Sequence, residues 1–277
     1  MPMYTKIAIQ GEKNSFHDLA AKKLYSDQIK ILPCLSFSDV FKAIESGQVE
    51  VGLCAIENSL TGSINQTYDL LLHYNFSIIA EIYLPISQNL IALPESQLTD
   101  IRKVYSHPVA LAQCTDFLDR ELPKAVRIEY FDTAASIRLV KNLGDKQVAA
   151  IGPYQAAKQY KLKVLSKQIE TNHQNYTRFV AISKKQIISN NPSKTSLIIS
   201  TSHQPGALYR ALGVFVKRNI NLLKLQSQPI IGQAWHYHFY IDVDMGLKNI
   251  KLVQSLDELV ALGNQVRILG SYIAGDK

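Results

Sequence analysis

Strand-like and helix-like segments alternate along the first two thirds of this chain, and this alternation limits its possible folds. Short apolar runs such as residues 51–56 are separated by segments with apolar residues at helical spacing, such as the one after Ser15. Repeated strand–helix units predict an α/β architecture with mainly parallel sheets. The alternation occurs in two successive runs. It therefore predicts two lobes with a cleft between them, formed by about residues 1–84 with 171–183 and by residues 85–170.

The pattern changes after residues 184–194, which contain Asn190-Asn191-Pro192-Ser193 and are typical of a linker. Residues 195–273 then predict the order β-α-β-β-α-β, which is the order of a ferredoxin-like domain. We therefore expect an α/β domain over residues 1–183, a linker, and a small α+β domain. Within the first domain, Pro108 predicts the first turn of one helix that runs to about Leu122.

Polar side chains gather where predicted strands pass into predicted helices. The clusters are Asn14-Ser15, Glu57-Asn58-Ser59, Thr61-Gly62-Ser63, Ser106-His107 and Asp132-Thr133. In an open α/β sheet such turns lie at the carboxyl ends of strands, where ligands bind, and helix N-termini favour anions. Each cluster alone also fits an ordinary helix cap. Together they predict a site for a small polyanion in the cleft.

The segment Asn175-Tyr176-Thr177-Arg178-Phe179 combines a carboxamide, a hydroxyl and a fixed cation. On a strand, Asn175, Thr177 and Phe179 would share one face and Arg178 would take the other. The neutral donors suit an oxygen-rich anion, and the Arg suits a carboxylate bound bidentately. The same residues also fit an ordinary strand with an Arg on the surface.

Composition argues against several classes of protein. The net charge of +7 comes from scattered lysines, so we predict no nucleic-acid partner. No segment has the roughly 18 apolar residues of a membrane span, and the N-terminus lacks a signal-peptide pattern. Three widely spaced cysteines argue against a disulfide framework or a zinc site. We therefore expect a cytoplasmic protein that does not bind membranes.

Motifs for nucleotide cofactors are absent from the sequence. It contains neither G-x-G-x-x-G nor G-x-x-x-x-G-K-[ST]. His236 and His238 alternate on a predicted strand and could share a metal, but without a third ligand they also fit an ordinary surface strand. We predict no cofactor and no metal.

Several motifs, distributed over nearly the whole chain, point to one family. They are Ala55-Ile56-Glu57-Asn58-Ser59-Leu60-Thr61-Gly62-Ser63, Ser106-His107-Pro108, Asp132-Thr133-Ala134-Ala135, Thr177-Arg178-Phe179 and Pro205-Gly206-Ala207-Leu208. In order and spacing they resemble the prephenate dehydratases of the single-activity type with a C-terminal ACT regulatory domain. The resemblance implies a two-lobed, periplasmic-binding-protein-like catalytic domain. It also implies loss of water and carbon dioxide from prephenate to give phenylpyruvate, on the way to phenylalanine, without a cofactor.

The resemblance also implies roles for individual residues. Thr177 is the expected catalytic residue, donating a hydrogen bond or a proton to the departing hydroxyl. The expected substrate-binding residues are Ser15, Glu57, Asn58, Ser59, Ser106, Thr133, Asn175, Arg178 and Phe179. The expected contacts for the effector L-phenylalanine are Gly206, Ala207, Leu208, Leu212, Gln226, Ser227, Gln228 and Pro229. A homodimer or homotetramer is expected.

Three stretches depart from the family's pattern. The usual glycine-proline-any-glycine turn before the first helix reads Gly11-Glu12-Lys13-Asn14, and the common glutamine after Ser106-His107-Pro108 is Val109. The usual glutamate-serine-arginine-proline segment reads Gln226-Ser227-Gln228-Pro229, which predicts weaker inhibition by phenylalanine or none. Two alternatives stay open: an arogenate dehydratase, which uses the amino analogue of prephenate, and a non-catalytic protein that binds an aromatic metabolite.

Overall fold

The computed structural model describes residues 6–276, which form two compact units. The first unit comprises residues 6–70 and 82–179, and the second comprises residues 71–81 and 180–276. The domain limits proposed from the sequence stay a prediction. Among the described residues, none of the helices has the length and hydropathy that a membrane crossing requires.

The regular elements follow one another along the whole described chain. The strands are β1 (Lys6–Gln10), β2 (Lys30–Cys34), β3 (Val51–Asn58), β4 (Gly62–Ser63), β5 (Ser77–Pro85), β6 (Asn89–Ala92), β7 (Lys103–Ser106), β8 (Val126–Glu129), β9 (Val148–Gly152), β10 (Lys163–Ser166), β11 (Tyr176–Ser183), β12 (Lys194–Ser200), β13 (Leu222–Pro229), β14 (Tyr237–Val243) and β15 (Gln265–Tyr272). The α-helices are α1 (Phe16–Leu24), α2 (Phe37–Glu45), α3 (Asn65–Tyr74), α4 (Pro108–Gln113), α5 (Thr115–Glu121), α6 (Thr133–Leu143), α7 (Tyr154–Tyr160), α8 (Ala207–Val216) and α9 (Ile250–Ala261).

The first sheet has the strand order β2-β1-β3-β11-β5, and the short β4 pairs with β3. β1 is parallel to both β2 and β3, because α1 and α2 return the chain to the same end of the sheet before each new strand. β3 is buried along its length apart from the partly exposed Glu57, as expected for a strand covered on both faces.

The second sheet has the order β10-β6-β9-β7-β8. β7 is parallel to β8 and β9, but β6 is antiparallel to both β9 and β10. The prediction of mainly parallel sheets is therefore wrong for β6 and its neighbours. The chain enters the second sheet at β6 directly from the first sheet, without a preceding helix, so no strand–helix–strand unit fixes the direction of β6.

The single helix predicted from Pro108 to about Leu122 is also wrong, because α4 ends at Gln113 and α5 begins at Thr115. Cys114 between them has ψ of 17°, outside the helical range, although it is fully buried. Thr115 Oγ1 donates to the Ala112 carbonyl at 2.9 Å, the kind of local side-chain bond that competes with helix continuation.

The second unit contains a four-stranded sheet with the order β13-β14-β12-β15, in which every recorded pair is antiparallel. With α8 and α9 the chain order is β-α-β-β-α-β, so the ferredoxin-like prediction is confirmed. The helices pack on the sheet through an apolar core that includes Leu197, Ile199, Val214, Phe215 and Leu259.

A buried ion pair within the second unit connects its two chain segments. Lys194 Nζ lies 3.0 and 2.9 Å from the two carboxylate oxygens of Glu81 and 3.7 Å from Asp242 Oδ2. All three side chains are almost completely buried. Glu81 Oε1 also accepts from the Gly275 amide at 3.1 Å. Each of these charged groups loses its hydration when it is buried. Removing one of them would leave the others buried without a partner, which would destabilise the fold.

We expect Glu81→Gln to lower the free energy of unfolding by about 3–5 kcal/mol, the usual cost of breaking a buried pair. The remaining Asp242 carboxylate should keep the loss near the lower end of that range. Urea unfolding measures the change. Glu258→Gln is the matched control, because Glu258 pairs with Lys217 and Arg218 at the exposed surface, and it should have little effect. Equal losses in both variants would contradict the importance given to burial.

Candidate active site

A cavity of about 370 Å³ lies within the first unit. Four of the residues predicted from the sequence line it, namely Asn58, Thr133, Thr177 and Phe179. Residues at or near the N-terminal ends of α1, α2, α4 and α6 also line it. No lysine or arginine is among the described residues around the cavity. The site therefore presents neutral donors and the positive ends of helix dipoles rather than cationic side chains.

The carboxamide of Asn58, at the end of β3, organises the loop that follows it. Asn58 Oδ1 accepts from the amides of Leu60 and Thr61, both at 3.0 Å, and from Thr61 Oγ1 at 3.2 Å. Backbone amides can only donate, so the side-chain oxygen must face them. This assignment places the Asn58 NH₂ group on the opposite side, toward β11.

The Asn58 NH₂ group is shared among three acceptors at the start of β11. Nδ2 lies 2.7 Å from Asn175 Oδ1, 3.0 Å from Thr177 Oγ1 and 3.1 Å from the Tyr176 carbonyl. Thr177 Oγ1 therefore serves as an acceptor toward Asn58, and its own proton is available in another direction. Because Thr177 lines the cavity, its hydroxyl can act there as a donor.

Arg178 and Glu57 are not among the residues that line the cavity. The Arg178 side chain is only 2% exposed, and its Nη1 lies 3.7 Å from Glu57 Oε2. Along β11, Thr177 and Phe179 face the cavity and Arg178 points the other way, as strand alternation requires. The structure thus places Arg178 behind the cavity, away from the position at which it was expected to hold a carboxylate.

Ser59 and Asn175 lie beside the cavity and make structural hydrogen bonds. Ser59 Oγ donates to the Gln174 carbonyl at 2.8 Å and accepts from the Tyr176 amide at 2.9 Å. Asn175 is fully buried, and its Nδ2 donates to Gln113 Oε1 at 3.0 Å. Both residues hold the start of β11 in place.

Ser15 and Ser106 are buried and occupied by local hydrogen bonds. Ser15 Oγ caps α1 by accepting from the Asp18 amide at 3.3 Å. Ser106 Oγ donates to the Ile151 carbonyl at 2.7 Å and so connects two strands of the second sheet. Neither serine lines the cavity. Ser15 has the helix-cap role that the sequence also allowed, whereas Ser106 makes a structural hydrogen bond between β7 and β9.

His17 lines the cavity and had no role in the sequence analysis. Its Nε2 accepts from the Ala55 amide at 3.3 Å, and its ring packs edge-on against Phe179 with centroids 4.9 Å apart. Burial, with a smaller effect from His107, lowers the pKa of His17 to about 3. The imidazole is therefore neutral at physiological pH, with its proton on Nδ1. A lone histidine early in a predicted helix carries no pattern that would reveal this.

Asp132 lines the cavity beside Thr133 and caps α6, accepting from the Ala135 amide at 2.8 Å. The pKa of Asp132 is raised to about 6, mainly by burial and also by the neighbouring Glu12 carboxylate, although hydrogen bonds from backbone amides act in the opposite direction. A carboxyl group with this pKa is partly neutral near pH 6. It therefore opposes an anionic ligand less than a fully ionised aspartate would.

Comparison with known proteins identifies the family. Residues 7–187 match the family model of prephenate dehydratase. A bifunctional chorismate mutase/prephenate dehydratase from Enterobacter agglomerans is 38% identical over 273 residues, covering 96% of this chain and 70% of the relative. The chain belongs to the prephenate dehydratase family. Arogenate dehydratase 2 from Petunia hybrida is 34% identical over 283 residues, covering 96% of this chain and 71% of the relative.

Solved structures agree with this family. Prephenate dehydratase from Arthrobacter aurescens, in complex with L-Phe, has a TM-score of 0.87 at 28% identity and covers 97% of this chain and 89% of its own. A protein described as GqqA, a novel type of quorum quenching acylase, has a TM-score of 0.86 at 31% identity. The match covers 97% of this chain and 98% of that protein's chain. The expected two-lobed α/β fold with a ferredoxin-like domain is confirmed by the prephenate dehydratase match.

The second unit has its own cavity, of about 570 Å³. Of the eight effector contacts that the family resemblance implied, Gly206, Ala207 and Leu208 line it. Leu212 instead packs against the apolar core. Gln226, Ser227, Gln228 and Pro229 do not line the cavity but lie on β13 beside it, where Ser227 pairs with Phe239 and Pro229 pairs with Tyr237. Phe239 and Tyr237 are both cavity residues.

The described part of this prephenate dehydratase family member has no group of side chains suited to bind a metal ion. Among residues 6–276, no three histidine, cysteine, aspartate or glutamate side chains are grouped so that they could hold an ion. His236, one of the two histidines considered from the sequence, instead lies against His203 with ring centroids 5.4 Å apart.

The raised pKa of Asp132 predicts a specific pH dependence of stability. The folded protein binds the Asp132 proton more tightly than the unfolded chain does, so this contribution to stability is largest below pH 4 and is lost as pH rises through about 6. Asp132→Asn removes it. The unfolding free energy of Asp132→Asn relative to wild type should therefore increase by roughly 2–3 kcal/mol between pH 4 and pH 7.5.

Denaturant unfolding of both proteins across this pH range measures the difference, in which titrating groups that do not interact with Asp132 cancel. Asp145→Asn, at an exposed position in the loop between α6 and β9, is the control and should show a constant difference. A difference that is also constant for Asp132→Asn would contradict the raised pKa.

Proposed function

We propose that the protein is a prephenate dehydratase, which converts prephenate to phenylpyruvate, carbon dioxide and water in phenylalanine biosynthesis. The observation that carries this proposal is the Thr177 hydroxyl, which accepts from Asn58 and lines the cavity with its own proton available. It stands on the β3–β11 edge of a site rich in neutral donors. Such a site suits an anion with several oxygen atoms.

The reaction needs little from the protein beyond binding and one proton. In prephenate the bond from the ring to the hydroxyl breaks, and the bond from the ring to its carboxylate breaks to release carbon dioxide. The electron pair of the second bond completes the aromatic ring, and the departing hydroxide takes a proton to become water. We assign the donation at that oxygen to Thr177. A threonine hydroxyl is a weak acid, so its effect depends on being held in position before the reaction begins.

Binding of the dianion is assigned to the helix starts around the cavity. α1 and α6 are long enough to have substantial dipoles, and Phe16 and Thr133 begin them at the cavity wall. Thr133, Asn58 and the neutral His17 supply hydrogen-bond donors. Because Arg178 is buried behind β11, we assign it to support of Thr177 through Glu57 rather than to direct contact with substrate.

The hydrogen bonds of Thr177 favour elimination over acyl transfer, the activity named for the quorum quenching relative. Acyl transfer by a hydroxyl needs a neighbouring base that takes its proton. The group that contacts Thr177 Oγ1 is the Asn58 carboxamide, which donates a proton and cannot accept one from the threonine.

Arogenate dehydration stays open as a second function because plant relatives with that name are 34% identical. Arogenate has an amino group where prephenate has a keto group. Parallel assays with the two substrates measure the preference. A non-catalytic aromatic-binding protein would turn over neither.

Thr177→Val should lower kcat by about 10²–10³-fold, because it keeps the branched shape and removes the donor. Incubation with prephenate and spectroscopic detection of phenylpyruvate measures the rate. Thr177→Ser is the matched control, since it keeps the hydroxyl and should retain much of the activity. A folded Thr177→Val with a near-wild-type rate would place the donor elsewhere, and a wild type inactive on both substrates would overturn the proposed function.

The ferredoxin-like unit is proposed to be an ACT domain that binds L-phenylalanine beside Gly206. Gly206 has φ of 78° and is the N-cap of α8, so it lies at the positive end of the helix dipole, which favours a carboxylate. Support comes from the L-Phe complex of the Arthrobacter aurescens enzyme. β13 is an edge strand that exposes Leu223 and Leu225, so we also propose that a second copy pairs here to form a homodimer or tetramer.

Phenylalanine should bind weakly, because Gln226 and Gln228 replace the charged pair of the family and make weaker, uncharged contacts. Calorimetry with phenylalanine on wild type and on Gln226→Glu/Gln228→Arg should show tighter binding by the double variant. Light scattering on the same samples reports whether both are dimers or larger. Tight wild-type binding that the restored charges do not improve would contradict the charge argument.

A further inference from the structure

The turn between β1 and α1, formed by Gly11, Glu12, Lys13 and Asn14, makes contacts between the two sheets of the first unit, beside the cavity. β1 belongs to the first sheet, whereas the residues that this turn contacts lie on α6 and α7, which pack on the second sheet. Glu12 contacts Arg138 on α6, and Asn14 donates to Gln159 on α7. One four-residue turn thus reaches two helices that pack on the other sheet.

The Glu12–Arg138 pair has the geometry of a strong ion pair. Arg138 Nε donates to Glu12 Oε2 at 2.8 Å, and Nη2 donates to Oε1 at 2.5 Å, so the carboxylate is bound by two parallel hydrogen bonds. The side chains are 25% and 41% exposed, which leaves the pair accessible to dissolved salt. The two residues are 126 positions apart in the chain, so the contact has no local cause.

The backbone of the turn is shaped for this close approach. Gly11 has φ of 88°, and a Cβ at this position would lie 2.5 Å from Asp132 Oδ2. Asn14 has φ of 64°, a left-handed conformation that asparagine tolerates better than most residues. The Asn14 amide is held by Asp18 Oδ2 at 2.6 Å, which anchors the turn to α1. The turn is therefore fixed on its own side and complementary to α6 on the other.

The position of these contacts relates them to the substrate site. Asp132 and Thr133, at the start of α6, line the cavity, and Arg138 lies six positions further along the same helix. Thr177 stands on the first sheet. Proposed donors on the two sides of the cavity can act on one substrate only when the first sheet and α6 keep a fixed separation.

We propose that Glu12 and Arg138 are positioning residues that hold the two sides of the cavity together, so that Thr177 and Thr133 face the same bound substrate. The four-residue turn, with Asp132, Arg138 and Gln159, is called the clasp. The pair does not touch the reacting atoms. Its effect on the reaction rests on the proposed prephenate dehydratase function, whereas its effect on the separation of the two sides does not.

The kinetic test uses three variants of the pair. Glu12→Gln and Arg138→Gln each remove one charge and should lower kcat/KM for prephenate by about 3- to 10-fold at low salt, the range for one charge-assisted contact at a partly exposed site. The charge exchange Glu12→Arg/Arg138→Glu should restore most of it. Wild-type kcat/KM should fall more steeply with added salt than that of Glu12→Gln, because the variant lacks the Glu12–Arg138 ion pair that salt screens.

The structural test measures the separation directly and needs no substrate. Spin labels are attached to Asp27→Cys and Lys124→Cys, exposed positions beside the first and second sheets, after Cys34→Ser removes the one partly exposed native thiol. Distances between the labels should be narrowly distributed in wild type. They should be broader or longer in Glu12→Gln and narrow again in the charge exchange.

Asp119→Asn is the matched control, because it removes the Asp119–Arg127 ion pair, whose partners both lie on elements of the second sheet. It should leave the label distances and kcat/KM unchanged. Label distances in Glu12→Gln equal to those of wild type, or a charge exchange that fails to restore them, would overturn the clasp. If prephenate is not turned over but the distances respond as expected, the clasp holds and the proposed function is wrong.

Discussion

The hydrogen bonds of the Asn58 carboxamide are the interaction on which the rest of the active site depends. Its oxygen binds the amides of the following loop, and its NH₂ group binds the start of β11. One side chain thereby fixes both the loop after β3 and the orientation of Thr177. An aspartate of the same shape could accept from the loop but could not donate to Thr177, so the threonine proton would turn toward it instead of the cavity.

The cavity suits an anion although lysine and arginine are not among the described residues that line it. Helix N-termini and neutral donors do not change their charge with pH, and they lose less hydration on burial than a cation does. Asp132 would oppose a dianion if it were fully ionised, but burial moves its pKa to about 6. Below about pH 6 the Asp132 carboxyl is therefore mostly neutral, and its repulsion of an anion is smaller.

Much of the fold was predictable from the sequence, because apolar spacing, caps and prolines act locally. The ferredoxin-like order and most helices were predicted for this reason. The antiparallel direction of β6 was not predicted, because it is defined by pairing with β9 and β10, which lie far along the chain. Within the site, Thr177 and Asn58 were found through motif and resemblance. Arg178 lies behind the cavity, and strand alternation alone does not show which face of β11 meets the cavity. His17 is brought to the cavity by contacts with Ala55 and Phe179, which are distant in the chain.

The turn after β1 shows how one constraint can replace another. In the family's glycine-proline-any-glycine pattern, the proline stiffens this turn by limiting the backbone of the unfolded chain. In this chain Glu12 takes the place of the proline, so that stiffness is lost, and Asn14 takes the place of the second glycine. Asn14 still adopts a left-handed conformation, and Glu12 gains a two-point contact with Arg138. The conformation of the turn then depends on the contact between Glu12 and Arg138, which joins the first sheet to α6. Because this contact is ionic and partly exposed, the shape of the turn becomes coupled to salt and to the separation of the two sheets, which a proline would leave uncoupled.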